Sequence, residues 1–173
     1  EQNQMINSTM KMVRGKIEKA YAERIEYVYT AEGKQTLNEQ NMASLVRKSW
    51  QGLATVYPCK QLRIEGNATI RCDEKWMGEA YLNLLKNACE HTPEDGEITV
   101  HLEQSDTAFF CSVSDNGGGV DAKELPHLFD RFYRAHSRET KGAGIGLSIV
   151  KEIIRRHHGS IYAENIPGTV PVF

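Results

Sequence analysis

The sequence predicts an α+β fold, a two-layer sandwich of sheet and helices, from three observations. The segment from Glu74 to His91 repeats apolar residues at helical spacing. Residues 97–103 and 108–115 instead alternate apolar and polar side chains, which is the period of a half-buried strand. Predicted helices come first along the chain and a mixed run of strands and helices follows, an order typical of a sheet layer covered by helices.

The N-terminal part of the chain is predicted to be separate from this sandwich. Residues 1–29 have a helical pattern, and residues 30–41 are polar and read as a linker. Asn41 is a favourable cap for a helix that ends near Val56, before Pro58. The sequence therefore predicts two parts, residues 1–40 and residues 41–173.

The other elements of the sandwich follow from turn residues and periodicity. Gly66 and Asn67 form a turn-prone pair between two short strands, and Gly144–His158 carries isoleucines at helical spacing. The remaining strands are predicted at residues 60–65, 68–72, 159–165 and 169–173.

Composition limits the classes of function. The 173 residues suffice for one domain with a core plus an appended helix. Lys and Arg number 21 and Asp and Glu 23, so the net charge of −2 gives no electrostatic reason to expect nucleic acid or a membrane surface. The four cysteines form no C-x-x-C pair, which indicates reduced thiols in a cytoplasmic setting. The chain begins with Glu1 and is expected to belong to a longer protein.

Asp115 is the most informative single residue. It ends a predicted strand on the same side as Phe109, Cys111 and Val113, the side that faces the core. A buried carboxylate needs a hydrogen-bond donor. Because the glycine-rich segment 116–120 follows, Asp115 either leads a turn or accepts a hydrogen bond from a ligand.

A polar stripe runs along the helix predicted at Glu74–His91. Asn83, Asn87 and Glu90 are spaced i, i+4 and i+7 and so share one face. Asn is a mediocre residue for a helix interior, which invites an explanation. The stripe is either a solvated face or a row of amide oxygens that holds a hard cation such as Mg²⁺.

Two further segments have compositions typical of phosphate binding. "GAGIGLSIVKEII" (142–154) places three glycines directly before a helix, where backbone N–H groups and the helix N-terminus attract anions. "LFDRFYRAH" (128–136) places two phenylalanines beside Arg131 and Arg134. The alternatives are a structural glycine turn and an ordinary amphipathic turn.

Together these four stretches resemble the catalytic ATP-binding domain of sensor histidine kinases of two-component systems, in the Bergerat or GHKL-type ATPase superfamily. "NLLKNACEHT" resembles the N box, "DNGGGV" the first glycine box, "LFDRFYR" the F box and "GAGIGLSIV" the second glycine box. The resemblance covers about residues 60–173. It implies a mixed, mostly antiparallel sheet of about five strands, covered on one face by about three helices and preceded by an N-terminal helix.

The resemblance also implies roles for individual residues. Asp115 would accept a hydrogen bond from the adenine amino group, Asn87 would hold Mg²⁺ with support from Asn83, and residues 120–141 would form a mobile lid. Glu90 stands where many members of the family carry a basic residue, which leaves that phosphate contact to Lys86 or Lys141. The other residues expected at the nucleotide are His91, Gly117, Gly119, Arg131, Arg134, Gly142, Gly144, Ile145, Gly146, Leu147 and Thr169.

The implied function is transfer of the γ-phosphoryl group of ATP, with Mg²⁺, to a histidine on a dimerisation hairpin. None of the six histidines lies in the H-E/D-x-x-x-T/N-P context of the phosphoacceptor, so autophosphorylation of this chain is not expected. Residues 1–40 would be the second hairpin helix and linker. Expected partners are ATP or ADP, the histidine-phosphotransfer domain and a response regulator, within a homodimeric parent protein anchored in the membrane. Two alternatives are a degenerate nucleotide-binding module that acts through protein contacts and an anti-sigma-type serine kinase.

Overall fold

The computed structural model describes residues 37–133 and 144–165. The predicted N-terminal helix, most of the predicted linker and the last predicted strand, residues 169–173, lie outside these ranges. The chain separates into two units, Glu1–Leu37 and Asn38–Phe173, and the elements below belong to the second apart from the first residue of one strand. Within the described ranges, no helix has the length and apolarity needed to cross a membrane.

Five strands and three helices make up the described fold, which confirms the predicted α+β class. A short 3₁₀ turn, Leu125–His127, interrupts the connection before the last helix. In chain order the elements are β1 (Leu37–Asn41), α1 (Met42–Val56), β2 (Gln61–Gly66), β3 (Thr69–Asp73), α2 (Glu74–His91), β4 (Glu97–Gln104), β5 (Phe109–Asp115) and α3 (Gly146–Arg156).

The strands form two sheets in the described part of the chain, and not the single sheet of about five strands that the resemblance implied. β4 pairs parallel with β2 and antiparallel with β5, and β1 pairs with β3. The Gln104 side chain joins the two sheets, because its Oε1 accepts from Thr69 N at 2.9 Å and its Nε2 donates to Thr69 O at 3.1 Å. A side-chain amide thus supplies two hydrogen bonds between the sheets.

The strands on either side of Gly66 and Asn67 do not pair with each other. Gly66 has φ of 73°, and a Cβ at this position would lie 2.1 Å from the carbonyl oxygen of Leu102. Glycine is therefore required where β2 ends against β4, and the chain leaves the three-stranded sheet there before β3 begins.

The interpretation of residues 30–41 as a linker is wrong for the last five residues, which form β1. The sequence LNEQN has low intrinsic strand propensity. Pairing with β3 supplies the hydrogen bonds that local propensity does not favour. Asn41 ends the strand and also caps α1 as predicted, since its side chain accepts from Ser44 N at 2.9 Å.

Helix α2 has the bounds that the periodicity predicts. The Asp73 side chain caps it, accepting from Lys75 N at 2.9 Å and Trp76 N at 3.0 Å. Its apolar face packs against α1, α3 and β5. Because α2 contacts the other two helices and the sheet, its orientation is fixed, and so is the polar face that carries Asn83 and Asn87.

The core lies between the helices and the inner faces of β4 and β5. The predicted inward residues of β4 are buried, as is Val113 of β5. Phe129 from the F box is also buried, with 7% of its surface exposed, so that box is attached to the core. The fully buried large side chains are Met42, Val46, Cys72, Leu85, Ile98, Val100, Val113 and Val150.

The C-terminal helix is shorter than predicted, and the strand predicted at 159–165 does not form as a strand. His158 adopts φ of 61° just after α3, and Gly159 N donates to Ile154 O at 2.9 Å, which turns the chain away from the helix. Within the described residues, only Glu164 of this segment makes a strand-type bridge.

Candidate functional site

Both ends of the candidate site lie on one helix, α2. Asn83, Asn87 and His91 occur at intervals of four residues and are half-buried. Asn83 and His91 are therefore separated by about 12 Å along the helix axis. The second glycine box lies close to Asn83, and the first glycine box lies close to His91.

Asn83 contacts the start of α3. Its Nδ2 donates to the carbonyl oxygen of Glu79 at 2.8 Å and to Glu79 Oε1 at 3.1 Å. These bonds fix the amide so that Oδ1 faces Gly146, where an added Cβ would lie 2.9 Å away. A residue larger than glycine at position 146 would require the Asn83 side chain or the N-terminus of α3 to move.

Asn87 lies one turn further along α2. No hydrogen bond or ion pair of its side chain is present within residues 37–133 and 144–165. A half-buried amide without such a bond retains an oxygen that can bind a ligand. The prediction of a cation ligand at Asn87 is compatible with this environment.

Asp115 and Gly117 form a tight turn against the end of α2. Asp115 is 5% exposed, and its Oδ1 accepts from Gly117 N at 2.9 Å. A Cβ on Gly117 would lie 2.4 Å from the carbonyl oxygen of His91. The carboxylate therefore leads a turn and is also buried beside the helix, so both interpretations of Asp115 are compatible with its position.

Asn116 attaches this turn to the sheet. Its side-chain Oδ1 accepts from Glu97 N at 2.9 Å, and its own N–H donates to Glu97 O at 3.2 Å. The turn is thus held from two sides, by β4 and by α2.

Gly119 and Asn165 define the start of the predicted lid. Gly119 has φ of 70°, a conformation that favours glycine. The Asn165 side chain accepts from Val120 N at 3.1 Å and donates to Val120 O at 2.6 Å. The amide of Asn165 therefore imitates a paired strand residue and attaches the first lid residue to the segment after α3.

Residues 121–133 of the predicted lid are folded. Asp121 O accepts from Glu124 N at 2.8 Å, and Phe129 is buried in the core. Phe132 N donates to Gly144 O at 2.9 Å, and these residues have φ values of 64° and 66°. The F box and the second glycine box are therefore joined at the base of the segment 134–143, which lies outside the described residues.

Of the basic residues predicted at the phosphates, Lys86 and Arg131 lie within the described ranges. Lys86 is exposed, and its Nζ lies 3.8 Å from Glu90 Oε1. Arg131 is exposed, and no hydrogen bond or ion pair in the described ranges joins it to another predicted site residue. The contact with Lys86 gives Glu90 a basic neighbour on its own helix. The predicted residues Arg134, Lys141, Gly142 and Thr169 lie outside the described residues.

The two remaining predicted residues are at the start of α3. Ile145 is the N-cap residue and accepts from Ser148 Oγ at 2.8 Å and from Ile149 N at 3.0 Å. Leu147 is partly buried against the core. The helix start is thus fixed by hydrogen bonds within its first turn and by the packing of Leu147 against the core.

Three supporting residues were not predicted. Glu79 lies one turn before Asn83 on the same face, so its spacing could have revealed it. Lys60 and Thr92 could not be found in this way, because their contact depends on the turn between α2 and β4. Lys60 Nζ donates to Thr92 O at 2.8 Å and to Thr92 Oγ1 at 2.7 Å.

The buried Cys89 thiol lies beneath this end of the site. Burial raises its pKa to about 11; Lys60 acts to lower the pKa, and Glu90 and Asp115 act to raise it. The thiol is therefore protonated at neutral pH and packs as an apolar group. Within the described ranges, no group of three or more His, Cys, Asp or Glu side chains could hold a metal ion.

Comparison with known proteins identifies the family of the chain. Residues 72–173 match the family of histidine kinase-, DNA gyrase B- and HSP90-like ATPases. Over 107 residues the chain is 37% identical to the phosphate regulon sensor protein PhoR of Pseudomonas aeruginosa, a match that covers 60% of this chain and 24% of PhoR.

Solved structures give the same result. The mycobacterial sensor histidine kinase MprB superposes with a TM-score of 0.70 and 27% identity, covering 74% of this chain and 86% of that one. The nucleotide-free catalytic domain of histidine kinase ThkA superposes with a TM-score of 0.65 and 26% identity, covering 79% and 92%.

The curated relatives are much longer than this chain. The alignments with PhoR and seven other curated relatives span between 16% and 29% of the lengths of those proteins. The family match covers more than half of the chain and includes α2, both described glycine segments and α3. The chain therefore belongs to the histidine kinase-, DNA gyrase B- and HSP90-like ATPase family, as an ATP-binding catalytic domain of the sensor histidine kinase type.

Proposed function

We propose that this chain binds ATP along the polar face of α2, with the base at His91 and the phosphates near Asn83. The observation that carries the proposal is that the two glycine segments meet the same helix about 12 Å apart. A nucleotide that extends between them would contact both. The family match supports ATP as the ligand.

At the base end, Asp115 would accept a hydrogen bond from the adenine amino group. The carboxylate is buried and already accepts from Gly117 N, which fixes its orientation. Gly117 and Gly119 would allow the chain to pass close to the ring, because neither carries a Cβ. A base with a carbonyl group in place of the amino group would present an acceptor oxygen to the carboxylate at that position, where this hydrogen bond cannot form.

At the phosphate end, the backbone N–H groups at Gly146 and Leu147 begin α3 and are available to an anion. The helix dipole adds partial positive charge there. Ile145 and the Asn83 amide hold this helix start in place. Gly142, Lys141, Arg131 and Arg134 are proposed to complete the phosphate contacts.

The residues at this end also fit Mg²⁺. Asn87 offers an amide oxygen, and Asn83 could support a bound water. Mg²⁺ typically binds one or two protein oxygens and takes its other ligands from waters and phosphates, which suits a site without an acidic cluster. When bound, the ion would neutralise charge on the β- and γ-phosphates.

The reaction would be transfer of the γ-phosphoryl group to a histidine on a helical hairpin. The contribution of this chain would be to position the nucleotide, exclude water and neutralise charge, which are the main demands of phosphoryl transfer. Asn83 occupies the position where a related ATPase would need an acidic base for water, so hydrolysis should be slow. A cytoplasmic location, a homodimeric parent and a response regulator partner belong to this proposal. Histidine kinase ThkA, whose fold is similar, has a solved structure with response regulator TrrA.

The base assignment can be tested with Asp115→Asn. We expect calorimetric binding of a non-hydrolysable ATP analogue to fall at least about tenfold, since the amide offers one acceptor oxygen and would also present a donor. Far-ultraviolet circular dichroism should remain unchanged. Wild-type affinity in a folded variant would contradict the assignment of adenine to Asp115.

Phosphoryl transfer can be tested in trans. The chain would be mixed with a separately purified hairpin that carries an acceptor histidine, together with labelled ATP and Mg²⁺. We expect acid-labile phosphate on the hairpin and none on the chain itself. A chain that binds ATP but transfers no phosphate to any hairpin of a related sensor would favour the degenerate binding module.

A further inference from the structure

We propose that Lys60 is a positioning residue for base recognition, because its ammonium group donates hydrogen bonds to three oxygens at the C-terminal end of α2. It donates to Thr92 O at 2.8 Å, to Thr92 Oγ1 at 2.7 Å and to the carbonyl oxygen of Pro93. This proposal rests on the proposed function, in which Asp115 reads the base.

The position of Lys60 suits this role electrostatically. The last carbonyl groups of a helix have no intrahelical partner and carry partial negative charge. Lys60 Nζ donates to the carbonyl oxygens of Thr92, the C-cap residue, and of Pro93, so its positive charge lies beside the negative end of the helix dipole. Thr92 Oγ1 also donates to Ala88 O at 2.9 Å, so the hydroxyl connects the ammonium group with the final helical turn.

The end of α2 is in turn the surface on which the base-reading turn rests. The carbonyl group of His91, adjacent to Thr92, faces Gly117 so closely that a Cβ there would lie 2.4 Å from its oxygen. Gly117 N donates to Asp115 Oδ1 at 2.9 Å. Movement of the His91 carbonyl would therefore move the Asp115 carboxylate.

The same lysine also stabilises the turn into β4. Gly96 N donates to Pro93 O at 2.9 Å, and Gln61 N donates to Gly96 O at 3.0 Å. β2 and the turn are thus connected next to Lys60, and β4 begins at Glu97, to which Asn116 is bonded. The Asp115 turn rests on the end of α2 and on β4. Lys60 lies next to both, because it bonds to Thr92 and Pro93 after the helix, and Pro93 O also accepts from Gly96 N just before β4.

A change in base selectivity would distinguish this role from general stabilisation. A purely structural lysine would alter the melting temperature and would affect all nucleotides equally. A positioning lysine would affect ligands that use Asp115 more than those that do not. ADP carries the adenine amino group, whereas inosine diphosphate has a carbonyl oxygen in its place, so the ratio of their affinities reports the position of the carboxylate.

The experiment compares Lys60→Met with Lys48→Met by calorimetry, using ADP and inosine diphosphate at a temperature well below unfolding. Lys48 is an exposed lysine that pairs with Glu74 at 2.5 Å at the opposite end of α2, which makes it a matched control. We expect Lys60→Met to reduce the ADP preference about fivefold, as partial loss of a charge-assisted hydrogen bond would. Lys48→Met should leave the preference unchanged.

Thr92→Val provides a second variant in case Lys60→Met does not fold. It removes one of the three acceptors, and we expect about a twofold reduction in ADP preference, whereas Thr92→Ser should restore the wild-type ratio. An unchanged ratio in folded Lys60→Met, or in Thr92→Val, would overturn the role of Lys60. A wild-type chain without preference for ADP would instead contradict the assignment of the base to Asp115, so the two failures are distinct.

Discussion

Gly117→Ala is the substitution whose effect follows most directly from the structure. Its Cβ would lie 2.4 Å from the carbonyl oxygen of His91 and 2.9 Å from Asp115 Oδ1. Such contacts are essentially never below 3.0 Å in proteins, so the turn and the helix end must separate by at least 0.6 Å. The closest atom belongs to the backbone at the end of α2, so no side-chain rotation can relieve the contact.

The expected loss of stability is about 1–3 kcal/mol, the usual cost of overpacking. Nucleotide affinity should fall at least about tenfold, because the displaced carboxylate loses about one charge-assisted hydrogen bond. Urea unfolding followed by circular dichroism gives the first quantity, and calorimetry with a non-hydrolysable ATP analogue gives the second.

Gly52→Ala is the matched control. Gly52 lies within α1, and an added Cβ would have no atom within 4 Å. This substitution should stabilise the chain by about 0.5–1 kcal/mol, because alanine loses less entropy than glycine in a helix. Affinity should remain unchanged. A Gly117→Ala variant as stable and as tight-binding as the wild type would refute the close packing of the Asp115 turn on α2.

Three further predictions concern ion pairing, thiol reactivity and the start of the lid. Hydrogen bonds from Arg155 are the main cause that lowers the pKa of Glu152 from 4.5 to about 2. Glu152→Gln should therefore reduce the free energy of unfolding by about 1 kcal/mol at pH 7, after allowance for solvent screening. That contribution is present above pH 4.5 and lost as the pH falls towards 2. A difference in unfolding free energy between variant and wild type that is the same at pH 7 and at pH 2 would contradict it. Iodoacetamide at pH 8 should modify exposed Cys59 first, because burial raises the pKa of each of the other three thiols to about 11; mass spectrometry that finds rapid modification of a second site would disprove this. Asn165→Ala should speed amide exchange at Val120 about fivefold by removing both side-chain bonds, and an unchanged exchange rate would exclude an anchoring role.

The sequence predicted well those features that depend on local chemistry. The bounds of α2 follow from the helical spacing of its apolar residues. The burial of Asp115 follows from strand alternation, since the residues two, four and six positions earlier point to the same side. The Asn41 cap was predicted for the same reason, as its effect depends only on the next three residues.

Features set by tertiary contacts could not be predicted in this way. β1 forms from residues with poor strand propensity because β3 supplies its partner. The predicted strand at 159–165 has suitable residues, but the backbone turns after His158. The burial of Phe129 in the core depends on tertiary contacts and could not be read from the F-box pattern alone. Lys60 was missed because its acceptors lie 32 and 33 residues further along the chain.

Binding of ATP to the polar face of α2 can be measured by calorimetric titration of the chain with a non-hydrolysable ATP analogue. We expect one site per chain, with affinity strengthened by Mg²⁺, and loss of the Mg²⁺ effect in Asn87→Ala. A folded chain that shows no heat of binding, with or without Mg²⁺, would exclude this site.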